Sequence, residues 1–219
     1  MLSYKIQIKL LKPSLMLQWS KTRLREASRK SSISWGFGIH MALTRDRIIQ
    51  TAEQLIQETH HSEVTLDQIA KTLGITHAAL YKHFQNKQAL WEAVAAAWFQ
   101  REIIDRIQGE AAITPQNRLH NWLWAFVTAK KNAYHTNPQM FALNTRYIDN
   151  HPQALRQVLT PAYQIISQIM DYHDRHNERA ETILAAFAIF TLPNFKETWD
   201  DPDYAQRFER SWNLIKAGL

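Results

Sequence analysis

Cysteine is absent from the 219 residues. That excludes a disulfide framework, thiolate zinc sites and cysteine nucleophiles, and it fits a reducing, cytoplasmic compartment. Glycine is scarce, at five residues. So few argue against a turn-rich all-β fold and against loops that cradle nucleotide phosphates in glycine-rich backbone. Long apolar runs are also missing. The longest, Ala185 to Leu192 with one threonine inside it, falls far short of the ~18 residues of a membrane span. Residues 1–40 lack the uninterrupted apolar segment of a secretory signal.

What is present is a chain with 45% apolar residues and a formal charge of +6. The charge is unevenly placed. Residues 1–40 hold eight Lys/Arg and one acid, Glu26, which leaves 18 basic and 19 acidic groups for the rest. The body is therefore close to neutral, and any contact with a polyanion must come from a local cluster. For residues 1–40 three readings stand side by side. They are a basic arm on DNA phosphates, a transit peptide, or a basic extension, disordered or marginally helical, upstream of a true start at Met41.

From Thr44 onward apolar residues recur at helical spacing. Ile48, Ile49, Ala52, Leu55 and Ile56 predict a first helix capped by Thr44. Thr65 with Gln68 forms a capping box, and Val64 with Ile69 a hydrophobic staple. Gly74 ends that short helix, Thr76 caps another over 76–83, and Asn86 caps a long one with Leu90, Val94, Trp98 and Ile104 on one face. Thr114-Pro115, Asn137-Pro138 and Asp201-Pro202 each pair a cap with proline at the first helical position. His151-Pro152 and Thr160-Pro161 bracket two helices or one kinked helix. A further helix is expected over 178–192, stopped or bent by Pro193. No strand and no internal repeat is predicted. The fold class is all-α with about nine helices.

Two short helices across a glycine turn make a helix-turn-helix. Ala70 allows close approach, and Ile69, Leu73, Ile75 and Leu80 fall where the junction must be apolar. The run 74-GITHAALYKHFQNKQAL-90 then resembles the signature of TetR-type bacterial transcriptional regulators, well matched from Leu43 to about Leu90. Beyond that only the helical plan is similar. The resemblance implies a helix-turn-helix DNA-binding domain at 41–90 and a helical ligand-binding and dimerisation domain at 91–219. It implies a homodimer on double-stranded operator DNA, and a repressor released by a small hydrophobic effector. Thr65, Tyr81, His83 and Lys87 would meet phosphates, and Lys82 either a phosphate or solvent. Thr76, His77, Ala78 and Ala79 would face bases in the major groove. His77 and Ala78 depart from the residues usual there, which leaves the operator open.

Aromatic residues on the middle helices, Trp122, Phe126, Phe141, Tyr147 and Tyr163, are candidates for an apolar ligand pocket, with plain core packing as the competing reading. Ile183, Phe187, Phe208, Trp212 and Ile215 on the last two helices are the expected dimer contacts. Catalytic constellations are not found: there is no G-x-S-x-G and no H-E-x-x-H. His173 and His176, with Asp171 and Asp174 nearby, read as a surface patch and not a metal site. No enzyme activity, cofactor or metal is expected. Two other classes remain open, a helical carrier or enzyme that only resembles the motif, and a protein–protein adaptor built on it.

Overall fold

The computed structural model describes residues 43–107 and 114–219. The expectations for residues 1–40 lie outside the described residues. Nine α-helices are present among them: α1 Arg45–Thr59, α2 Leu66–Leu73, α3 His77–Leu80, α4 Lys87–Phe99, α5 Pro115–Thr136, α6 Pro138–Asn144, α7 Pro152–Met170, α8 Glu178–Ala185 and α9 Tyr204–Ile215. Two π-helical turns, Gln100–Ile104 and Thr145–Asp149, extend α4 and α6. Three short 3-10 segments surround α9 and its approach. No strand occurs among the described residues.

Most of the predicted starts form as side-chain caps. The Arg47 N–H donates to Thr44 Oγ1 at 3.2 Å, the Ala89 N–H to Asn86 Oδ1 at 2.8 Å, and the Asn117 N–H to Thr114 Oγ1 at 3.2 Å. Each satisfies one of the donors left free at a helix start. At Thr65 the box closes both ways: Gln68 N–H donates to Thr65 Oγ1 at 3.2 Å, and Thr65 N–H to Gln68 Oε1 at 2.7 Å.

Three boundaries differ from the sequence reading, and one left open is decided. The helix expected over 76–83 keeps α-helical form only to Leu80, and residues 81–83 are a turn. Pro161 lies inside one continuous helix, α7, so the two-prolines region is a single element. The helix expected over 178–192 ends at Ala185. Phe187 leaves helical geometry at φ −104°, ψ 15°, which lets Phe187 and Phe190 both turn inward onto Phe208, at 5.0 and 5.8 Å between rings. The Trp199 indole N–H takes up the freed Ile189 carbonyl at 3.0 Å. Lastly, Pro202 is not the first residue of α9. That helix starts at Tyr204, because Arg207 gathers Asp201 and Asp203 into the preceding turn.

Residues 43–219 cluster as one compact unit. Helix α1 packs on α2 and α4, α4 on α6, α5 on α7, and α7 on α8. The α4 stripe read from sequence is only part of its buried surface. Trp91, Ala95 and Phe99 are buried as well as Leu90, Val94 and Trp98. A helix apolar on most sides belongs inside a protein, and α4 runs from the helix-turn-helix into the centre of the larger helical body.

Candidate nucleic-acid interface

The turn that shapes the site is at Gly74, held at φ +67°, ψ 33°. A side chain with a Cβ loses about 1–2 kcal/mol in that left-handed region. Gly74 N–H reaches Lys71 O at 3.1 Å and Ile75 N–H reaches Ala70 O at 3.0 Å, which satisfies the last carbonyls of α2. Ala70, Ile69, Leu80 and Phe84 are buried beneath the junction. The Arg45 guanidinium lies 4.9 Å above the Phe84 ring and covers it.

Around this junction the side chains predicted to face DNA stand outside the core. Thr65, Thr76, His77, Ala78, Tyr81, Lys82 and Lys87 are exposed, while Ala79 and His83 are half-buried. Tyr81 is 45% exposed, unusual for a large apolar side chain here, and its ring meets that of His77 edge-on at 5.4 Å. Each ring therefore orients the other. Thr76 begins α3 without a side-chain cap bond, so its hydroxyl is available to an outside partner. Thr65 is different: its hydroxyl is already engaged with Gln68.

Lys87 also has a partner, one that sequence reasoning missed. Its ammonium pairs with Glu63, in the loop before α2. Glu63 further accepts from Arg146 at 2.9 Å and from the Tyr147 hydroxyl at 2.9 Å. Burial alone would raise the Glu63 carboxyl; the bonds from Lys87 and Tyr147 and the charges of Lys87 and Arg146 outweigh it and hold the pKa below its ordinary value. Tyr147 is pushed up to about 12, by burial first and then by the Glu63 bond and charge. This cluster joins the helix-turn-helix to the π turn Thr145–Asp149. A lone glutamate in a polar loop carries no sequence signal for such a role.

The larger helical body holds a cavity of about 360 Å³ between α5, α7 and α8. Its walls include Phe99, Phe126, Leu155, Leu159, Tyr163 and Leu184, and its polar lining includes Lys130, Asp149, Arg156 and Glu181. Lys130 and Asp149 form an ion pair with 3% and 2% side-chain exposure. Arg156 donates to Glu181 at 2.7 Å. Burial, then the Glu181 charge, raises the Tyr163 phenol, against the opposing Arg156; it stays a neutral hydroxyl.

Residues 48–94 match the family model described as bacterial regulatory proteins, tetR family. The helix-turn-helix segment is therefore similar in sequence to that of tetR-family regulatory proteins. Similar curated proteins include the nucleoid occlusion factor SlmA of Marinobacter nauticus, 40% identical over 50 residues, which are 23% of this chain and 26% of that protein. The tetracycline repressor protein class C of Escherichia coli is 40% identical over 55 residues, 25% of each chain. Both matches thus span about a quarter of the relatives' length. A TetR transcriptional regulator from Rhodococcus sp. RHA1 superposes with a TM-score of 0.53, at 20% identity, over 78% of this chain and 94% of that one. The likeness in fold therefore extends beyond residues 48–94 into the helical body.

In the helical body the candidate pocket residues separate. Phe126 and Tyr163 line the cavity. Trp122 stacks behind Phe126 at 5.3 Å, Phe141 packs on Tyr134 and Trp199, and Tyr147 turns towards Glu63. The candidate dimer residues need correction. Phe187 and Phe208 have no exposed surface, and Ile183 and Trp212 are only 6% and 7% exposed. They fill the core of a single chain, because the apolar stripe of a surface helix marks the side that faces its own core. Only Ile215 is half-buried. The exposed large apolar residues of this region are instead Ile189, Phe195 and Leu214.

Lys130 was also missed, though a signal existed. It follows Leu123, Phe126 and Val127 at core-facing helical spacing, where a lysine is out of place. His173 and Asp171, by contrast, are both strongly exposed and pair with each other at 3.3 Å. Among the described residues no group of three or more His, Asp or Glu converges as a metal site, and no helix is long and apolar enough to cross a membrane.

Proposed function

We propose that this protein is a homodimeric, sequence-specific DNA-binding transcriptional regulator, a repressor released by a small hydrophobic ligand. The observation that carries the reading is the exposed row Thr76, His77, Ala78 and Tyr81, set on a buried junction by the Gly74 turn. Small and polar side chains at the start of a recognition helix suit entry into the major groove. Ala78 suits contact with a thymine methyl and His77 a base edge. Tyr81, Lys82 and His83 suit the flanking phosphates. Lys87 joins them through a charge shared with Glu63.

Ligand and DNA would communicate through the π turn Thr145–Asp149. Asp149 lines the cavity, and two residues earlier Tyr147 grips Glu63. A shift of this turn reaches the loop ahead of α2 and the first turn of α4. The two recognition helices of a dimer must sit about 34–36 Å apart, so a small rotation of α4 alters affinity. This is a coupling between two sites.

The test is binding of the full chain to DNA upstream of its own gene, against random competitor, at two salt concentrations. Specific binding that weakens with salt is expected, with at least a tenfold loss in Tyr81→Ala plus Thr76→Val, roughly one lost positioning contact and one lost groove contact. Equal affinity for random DNA, or full binding by the double variant, would refute the reading.

A further inference from the structure

We infer that the cavity takes an uncharged, mostly apolar molecule that presents one hydrogen-bond-accepting oxygen, such as a ketone, to the Lys130 ammonium. The inference rests on the ligand-responsive reading above and names the class of ligand.

The walls are hydrocarbon and aromatic, with Phe99, Phe126, Leu155 and Leu184 on different sides. One end is not. There the Lys130 Nζ lies 3.4 and 3.5 Å from the two Asp149 oxygens. Charge-assisted N–H···O bonds usually close to about 2.7–2.9 Å, so this pair is held apart. Asp149 is anchored from elsewhere: Asn144, itself fully buried, donates to its Oδ2 at 2.9 Å. Lys130 rests between the rings of Phe99 and Phe141, 5.3 Å from each centroid. An ammonium has three N–H donors. Asp149 is its one polar partner among the described residues, at the limit of bonding distance. Unfilled donor capacity on a buried cation beside open space is a place for an acceptor atom.

Charge balance selects the kind of acceptor. Lys130 and Asp149 cancel, and so do Arg156 and Glu181. A carboxylate ligand would leave one negative charge uncompensated away from water, and an amine one positive charge. Both are costly at the Lys130 end, where the Lys130 and Asp149 side chains are only 3% and 2% exposed. A neutral carbonyl adds a bond to Lys130 and leaves the balance intact. A pure hydrocarbon fills the walls and leaves the ammonium as it was. The cavity, at about 360 Å³, is in the range of small-molecule sites.

Four probes on one ring frame separate these cases: 2-acetylnaphthalene, 2-ethylnaphthalene, 2-naphthoate and 2-(aminomethyl)naphthalene. Each is titrated calorimetrically into the full chain. The ketone is expected to bind about tenfold or more tighter than the other three, the worth of one hydrogen bond to a charged donor. In Lys130→Met with Asp149→Asn, which removes both charges together, the ketone should fall to the affinity of the ethyl compound. The ethyl compound itself should change little, and that shows the cavity is intact. Any one of four results overturns the inference: a carboxylate or amine as tight as the ketone, an ethyl compound as tight as the ketone, a ketone preference that survives the double substitution, or no probe binding below about 1 mM. The same samples are tested for DNA binding. Ketone binding without any change in DNA affinity would defeat the regulator reading and leave the ligand class standing. Release of DNA by the carboxylate alone would do the reverse.

Discussion

Gly74 is the residue on which the helix-turn-helix depends. A Cβ there would meet nothing within 4 Å, so the cost of Gly74→Ala is backbone strain alone. The expected loss is about 1–2 kcal/mol of unfolding free energy, read as a lower denaturant midpoint with unchanged slope. A stabilised Gly74→Ala protein would mean that the left-handed turn is not there. Tyr147 offers a titration. Its pKa is raised from 10.0 to about 12 by burial first and by Glu63 second. A raised folded pKa means that its contribution is complete below pH 10 and lost as the pH climbs through about 12. Tyr204, raised chiefly by burial, adds to the same alkaline loss. Stability should therefore fall from about pH 10 upward, and Tyr147→Phe should fall less steeply. Identical alkaline profiles for the two proteins would show that Tyr147 is not buried against Glu63.

Among the elements, the π turn Thr145–Asp149 and the Glu63 loop act as one joint. Glu63→Gln keeps an oxygen for the Tyr147 hydroxyl and removes the charge that holds Lys87 and Arg146. Lys87 and Arg146 are 52% and 67% exposed, so the stability cost should stay within about 1 kcal/mol. The pH behaviour should change more visibly. A lowered folded pKa means that wild-type Glu63 contributes above its ordinary value of 4.5 and loses that contribution as the pH falls through the folded value. Glu63→Gln should lack this part of the acid transition in a melting series from pH 6 to about pH 2. On the proposed function, the substitution also weakens the response of DNA affinity to ligand, measured in parallel by titration. An unaltered ligand response would put the coupling elsewhere.

At the scale of the whole molecule, core and partner surface need to be told apart. Phe187 has 0% exposure, so Phe187→Ala should cost about 3–5 kcal/mol in the folding of one chain. Leu214, on α9, is 82% exposed. Leu214→Asp should leave chain stability within about 0.5 kcal/mol and, on the dimer reading, shift sedimentation towards the monomer. A Phe187→Ala protein that dissociates yet melts like wild type would restore Phe187 to an interface.

Local chemistry was legible because it is written within a few residues. Thr44, Thr65, Asn86 and Thr114 each cap a helix whose first N–H groups lie three positions on, and Gly74 marks the one left-handed turn of the motif. Their geometry needs no distant partner, so residues 43–90 could be read almost as they stand. The same locality explains the errors. An apolar stripe says that a helix side is buried; it does not say against what. The sequence therefore leaves Phe187, Phe208 and Trp212 open to a partner, while in the fold they are buried in their own core. The helix over 178–192 breaks after Ala185 because Phe187 and Phe190 both gain by reaching Phe208, a residue about twenty positions away. The meeting of Glu63 with Tyr147, and of Lys130 with Asp149, joins elements far apart in the chain. Caps and turns obey short-range hydrogen bonding, which the sequence determined by itself. The ion pairs, the cavity and the true outer face depend on which helices meet, and only the tertiary structure decided that.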